Sequence, residues 1–317
     1  MYFWETFMKK IFMFFFLIIS LLAGPAQAAF ELETQKVTDN VYALVGEIGP
    51  RTVHNHALNN TLGFVVTDRA VVLIGSGATP KAAELVEKAI MQVTDKPVKW
   101  VINIGVQDHH WMGNSYFADK GVEIIALART VKGQQANVDD ELQRLTREIH
   151  DEVTTIKPVY APHPINADTI VLNLGGIEMQ LNWSGGGHFM QDATLWLPKQ
   201  KVIFTGDVVF HERMLGIQPH TPVLQLQKAF HAIEALKPDH IIPGHGHAGN
   251  LAQARRDTGD YIDFLVNNVK KSLVDWKDIG ETVNSLEDAP AFKHLKFYDG
   301  WHRRNINHTY LYLEAAQ

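Results

Sequence analysis

The sequence contains no cysteine. That excludes a disulfide framework, thiolate metal ligands and a cysteine nucleophile. Any metal must therefore rest on histidine, aspartate, glutamate or amide oxygens. Excess positive charge is missing too: 29 Lys+Arg stand against 35 Asp+Glu, a formal net charge of −6. With no basic footprint, a nucleic-acid partner is not expected. Past the first 28 residues no apolar run is long enough to span a membrane, which takes roughly 20 residues. No Pro-, Gly- or Ser-rich linker and no short-period repeat divides the chain. What is there is ordinary in bulk: 317 residues, 46% hydrophobic and 20% charged, which fits a globular chain of one large or two modest domains. Sixteen histidines are the compositional feature that stands out.

The N-terminal segment reads as an address. Lys9 and Lys10 precede the apolar run Ile11–Leu22, and Ala26-Gln27-Ala28 supplies an A-x-A cleavage site, the pattern of a secretory signal peptide. An uncleaved N-terminal anchor is the competing reading. Residues 1–28 are thus expected to be a leader and 29–317 a single domain, periplasmic or secreted.

Past the leader the chain reads as strands, then strand–helix alternation, twice. Val41–Val45, Thr61–Thr67 and Ala70–Ile74 are β-branched runs separated by turn residues, suited to antiparallel neighbours. Lys81–Val93 has apolar residues at helical spacing, Lys99–Ile104 and Val122–Leu127 read as strands, and Thr130–His150 as a longer amphipathic helix. The second half repeats the grammar with strands at Thr169–Leu174, Ile177–Trp183, Ala193–Leu197, Val202–Thr205 and His240–Ile242. Helices are expected at Leu224–Leu236, Leu251–Val274 and Arg303–Ala315. Two sheets with helices on their outer faces, a four-layer αββα sandwich of the α/β class, is the economical architecture.

Four polar clusters each follow an expected strand: Asn103 to His110, Gly185-Gly186-Gly187-His188, Thr205-Gly206-Asp207, and Pro243-Gly244-His245-Gly246-His247. Loops leaving strand ends converge on one rim, so clusters distant in sequence can meet there. Imidazoles with a carboxylate suit zinc, or iron and manganese, better than calcium or magnesium.

The order and content of these clusters resemble the metallo-β-lactamase superfamily. The resemblance implies the αββα sandwich, and it places His110, His188, Asp207 and His245 on the family's ligand positions. The first family motif, H-x-H-x-D-H, is altered. Aligned on Asn103 and Gly113-Asn114, its ligand slots hold Gly105, Gln107, His109 and His110. Gln107 could offer only a weak amide oxygen. His109 stands in the aspartate slot and either ligates or turns away, since adjacent side chains on a strand point to opposite faces. A shifted register would make Asp108 the ligand but breaks the Gly113-Asn114 match. The resemblance therefore implies one divalent ion rather than two, held by His109, His110, His188, Asp207 and His245, with Asp207 and His188 acting in the chemistry.

The implied activity is hydrolysis of a small molecule's ester, thioester, lactone or lactam carbonyl by metal-activated water. A competing reading is a non-catalytic or accessory protein on the same scaffold, in a periplasmic redox or sulfur pathway, motivated by the missing histidines. A third supplies the lost ligands from His54, His56 or His211. His211, Arg213 and His220 follow Asp207 closely enough to meet substrate, and His247 reads as a loop residue near the ligands.

Overall fold

The computed structural model describes residues 29–316, so the leader expected at 1–28 lies outside the described residues. The β-branched runs Val41–Val45 (β2), Thr61–Val66 (β3) and Val71–Ile74 (β4) pair antiparallel in sequence order, with Glu33–Lys36 (β1) added at the edge. Helix α1 (Pro80–Met91) then crosses over, so that Val98–Ile102 (β5) lies parallel to β4 and Glu123–Ile125 (β6) parallel to β5. Thr79 starts this helix: its side chain accepts the Ala82 N–H, and Pro80 sits where no hydrogen-bond donor is needed.

The second sheet runs β11-β10-β9-β8-β7. Its members are Thr169–Leu174 (β7), Ile177–Asn182 (β8), Thr194–Leu197 (β9), Val202–Phe210 (β10) and His240–His245 (β11). Strands β10 and β11 are parallel and are joined through a helix at Val223–Leu236. Alternation along β10 divides the core: Val202 and Phe204 face Val45, Val65 and Ile74 of the other sheet, whereas Ile203 packs on Leu226 and Phe230 of that helix. This yields the four-layer αββα sandwich, with Asn114–Ala118 (α2), Ala128–Ile149 (α3), Val223–Leu236 (α4), Leu251–Ala254 (α5), Asp260–Val274 (α6), Ile279–Ser285 (α7) and Tyr298–Ala315 (α8) as its helices.

Where the structure differs from the sequence pattern, the cause is local. Strand β1 is polar, with no apolar alternation to reveal it, and exists by pairing with β2. Strand β10 runs through Phe210 rather than stopping at Thr205, with register shifts at Gly206, and β11 continues to His245. The helix expected over Leu251–Val274 contains a π-helical turn at Arg255–Gly259. Its Thr258 Oγ1 donates to Phe210 O and accepts from Phe210 N, which pins the end of β10. Helix α8 begins at Tyr298, ahead of Arg303.

The two sheets meet through side chains such as Leu181, fully buried in the shared layer. Leu181→Ala is expected to cost about 2–5 kcal/mol. Urea unfolding should show this as a lower midpoint at unchanged slope.

Candidate metal centre

The loop after β5 is closed by an amide clamp. Asn103 Nδ2 donates to His110 O and to Asn114 Oδ1, both at 3.1 Å, and Asn114 Nδ2 returns a bond to Asn103 Oδ1 at 2.7 Å. Inside the clamp Asp108–His110 form one 3₁₀ turn. Successive side chains on such a turn are about 120° apart rather than opposed. Both His109 and His110 can therefore face inward, and their ring centroids are 4.3 Å apart.

Asp207 comes from the irregular part of β10, just after Gly206, whose φ of +50° suits glycine. His245 closes β11. The three Nε2 atoms converge on the Asp207 carboxylate, with His109 3.3 Å and His110 3.5 Å from Oδ2 and His245 3.6 Å from Oδ1. The His109 and His110 Nε2 atoms are 3.2 Å apart. Donors bound at zinc–nitrogen and zinc–oxygen lengths around one tetrahedral ion would stand about 3.3 Å from each other. Among the described residues, His109, His110 and Asp207 form the group of His and acidic side chains whose donor atoms all lie within 4.8 Å of one another.

Two further observations fit a cation. Asp207 Oδ1 is buried with no hydrogen-bond partner, as is His188 Nδ1, and a buried polar atom left unpaired is costly. The cluster also sits in a glycine cradle. A Cβ on Gly105 would lie 2.1 Å from His110 Cδ2, and one on Gly244 would lie 2.4 Å from Asp207 Oδ1. The loss of the first motif histidine thus has a spatial counterpart: the His110 ring occupies the room that a side chain at 105 would need.

The other candidates fall into place around this group. His188, reached through Gly185 and Gly186 at φ of +133° and +93°, is buried and lines the adjoining cleft with His245. It stands outside the compact group and meets His220 edge-on at 5.7 Å. The neighbours of Gln107 assign its amide nitrogen toward Asp207 Oδ2 at 2.9 Å and its oxygen toward Arg144 Nη1 and Nη2 at 3.1 Å, the orientation in which both ends are satisfied. In that orientation the amide acts as a donor to Asp207, and its oxygen would face a cation only after the amide turned over. Asp108 turns the opposite way, onto Arg51 at 2.6 and 2.7 Å and Arg144 at 3.0 Å, in keeping with the unshifted register. His56 Nδ1 contacts Glu152 at 2.8 Å, His211 Nδ1 meets His247 O at 2.8 Å, and His247 lies between Glu212 and Glu33.

Burial sets the charge states. It alone would push the Asp207 carboxyl up, but His109 and His110 hold it well below the ordinary carboxylate range. Burial pushes His188 down to about 3 and His109 to about 4, and it also takes His245 well below its usual value. His110 runs the other way: burial lowers it, but Asp207 raises it above its ordinary value, so a cation there would have to displace a proton from this ring.

Sequence reasoning missed Arg51, which lies in a Gly-Pro-Arg loop with no motif, together with Arg144, Phe297 and Trp301 of the cleft wall. The cleft has a volume of about 750 Å³ and includes Arg51, Arg144, His188, Arg213, His245 and Trp301. A larger cavity of about 1010 Å³, lined by Tyr42, Thr67, Lys96 and Gly175, includes none of the cluster residues.

A histidine–aspartate cluster at the rim of an αββα sandwich defines a hydrolase-type, metal-binding scaffold. A profile described as the metallo-beta-lactamase superfamily matches residues 58–245, and the chain belongs to that superfamily. It is 24% identical over 167 residues to a metallo-beta-lactamase type 2 from Bacteroides fragilis, an alignment covering 49% of this chain and 59% of that relative. Among solved structures it is similar to a metallo-beta-lactamase from Pontibacter korlensis (TM-score 0.57, 19% identity, 71% of this chain and 95% of that one). It is also similar to a stereoselective inverting sec-alkylsulfatase from Pseudomonas sp. (TM-score 0.70, 16% identity, 88% of this chain and 50% of that one). At these identities the structural likenesses establish the fold.

Because His110 fills the space over Gly105, writing the family motif back is expected to fail. Gly105→His with Gln107→His should lower, not double, the metal per chain measured by elemental analysis after purification in zinc. Two ions per chain would mean that the ring moves aside at little cost.

Proposed function

We propose that the protein is an exported metal-dependent hydrolase acting on a small molecule that carries an anionic group beside an ester, thioester, lactone or lactam carbonyl. The observation that carries this reading is Asp207: a fully buried, ionised carboxylate with one oxygen unpaired, set among three converging imidazoles beside an open cleft. One ion is expected rather than two, zinc first and iron or manganese next, since the first motif keeps only His110 of its family ligands. When bound, the cation would supply Lewis-acid polarisation and acidify a water.

The chain's own residues supply the rest. His245 Nδ1 faces Asn59 O at 2.7 Å and Arg213 Nη1 at 3.2 Å; with its hydrogen on the shorter contact, the Nε2 lone pair faces Asp207. Ionised Asp207 can orient a donor hydrogen in the site, and neutral His188, with Nδ1 unpartnered, can accept one from substrate. Arg213 supports an anionic substrate. It is 4% exposed, its Nη1 reaches His245 Nδ1 at 3.2 Å and Gly49 O at 3.5 Å, its Nε has no partner, and it appears in no ion pair with a carboxylate among the described residues. Phe297 and Trp301 flank its guanidinium at 5.0 and 5.2 Å. Burial pushes its pKa down to about 10 against the opposing pull of Asp207, so it remains charged at neutral pH. Export rests on the leader pattern alone.

Turnover of an activated ester or lactam panel is expected to be chelator-sensitive. His110→Ala and His245→Ala should each lower kcat/KM at least about a hundredfold, on the order of 3 kcal/mol. A protein that takes up no metal and turns over nothing in the panel would instead support the accessory reading. Arg213→Met is expected to raise KM about tenfold for carboxylate-bearing substrates, the scale of one charge-assisted hydrogen bond. Neutral esters should barely respond; an equal rise for both would remove Arg213 from substrate recognition.

A further inference from the structure

We propose that His109 is not a ligand of the cation but a hydrogen-bond donor to Asp207, held in that role by Arg51. The proposal rests on the reading of the cluster as a metal site and concerns which of its rings can offer a lone pair.

Separation alone does not distinguish a shared cation from a shared proton: the 3.2 and 3.3 Å between His109 Nε2 and its neighbours suit either. The far side of the ring decides. Arg51 Nη2 stands 2.7 Å from His109 Nδ1, well inside the 3.5 Å to Asp108 Oδ1, the acceptor on that side. A guanidinium carries only N–H donors and no lone pair, so Nδ1 must accept. A ring whose Nδ1 accepts carries its single hydrogen on Nε2, and a nitrogen bearing hydrogen has nothing to give a metal. That hydrogen points at Asp207 Oδ2, which Gln107 also serves as donor at 2.9 Å. His245 is set the other way: its Nδ1 faces the carbonyl oxygen of Asn59 at 2.7 Å, nearer than Arg213 Nη1 at 3.2 Å, and the nearer partner, an acceptor, takes its hydrogen. The two rings on opposite edges of Asp207 therefore hold opposite tautomers.

Arg51 cannot readily swing aside. Its fork grips Asp108 at 2.6 and 2.7 Å, Nη1 reaches Glu148 at 3.2 Å and Nε reaches Asn59 Oδ1 at 3.4 Å. The Arg51 side chain is 6% exposed and that of Asp108 is fully buried. Releasing Arg51 would leave a buried carboxylate short of its main partner, which is strongly destabilising. A histidine thus fills the family's aspartate slot without taking over its task. The carboxylate's donor-occupied edge is Oδ2, and its open edge is Oδ1, toward His245. The ligands left to the protein are His110, His245 and Asp207, with His188 at the cleft.

The test is nitrogen-detected NMR of the full mature protein labelled at its histidine rings, apo and then loaded with zinc, with His109 assigned through His109→Gln. The expected result is a His109 ring with hydrogen on Nε2 and none on Nδ1, retained after loading, while the His245 Nε2 signal shifts on binding. In the cobalt-loaded protein, His109→Gln should leave the set of shifted, exchangeable ring N–H signals intact, whereas His245→Gln should remove one. A His109 hydrogen on Nδ1 in the apoprotein, or loss of the Nε2 hydrogen on zinc binding, would overturn the assignment. An Nε2–H ring in a protein that takes up no zinc would support the role of His109 and overturn the metal reading of the cluster.

Discussion

A single buried carboxylate governs this site. Asp207 is 1% exposed and ionised, and a charge so placed is tolerated only when neighbours compensate it. Every unusual feature nearby follows from that constraint. The Gln107 amide is best satisfied with its nitrogen inward, two adjacent histidines share a 3₁₀ turn so that both rings reach one oxygen, and Gly244, lacking a Cβ, leaves room beside the other. One oxygen still has no partner, and in a native interior that calls for an explanation. A cation is the explanation the donor set supports.

Beneath the cluster lies a second, separate charge layer. Arg51 and Arg144 hold Asp108 well below the ordinary carboxylate range despite its burial. Glu141, buried near Asp108 and against Arg144, is pushed up to about 8. The layer connects to the cluster through Arg51 on His109 and through Arg144 on Gln107. Each contact sets how a neutral side chain is presented to Asp207 without adding a ligand.

Much of the scaffold is legible in the sequence because β-branched runs and helical spacing report burial directly. Val41–Val45, the β3–β4 pair and the crossover helix fall within a few residues of their expected bounds. Elements held by pairing alone are not legible: Glu33–Lys36 is polar, and the extension of β10 past Thr205 depends on Thr258, far along the chain. In the site, His110, His188, Asp207 and His245 are visible as strand-end residues beside glycines. The facing of His109 is not, because the turn that settles it carries no periodicity. Gly105 reads as a deleted ligand in one dimension and as occupied space in three. Arg51 is silent because its contacts with Asp108 and His109 span more than fifty positions of chain.

The cleft wall has two origins. The cluster lies within residues 58–245, the stretch matched by the superfamily profile, whereas Phe297 and Trp301, which flank Arg213, lie beyond it, at the start of α8. Arg144, His188 and Arg213 of the same wall lie inside that stretch, so the cleft is assembled from the profile-matched segment and a later helix together. A change at the start of α8 would therefore reshape the surroundings of Arg213 while leaving every residue of the histidine–aspartate cluster in place.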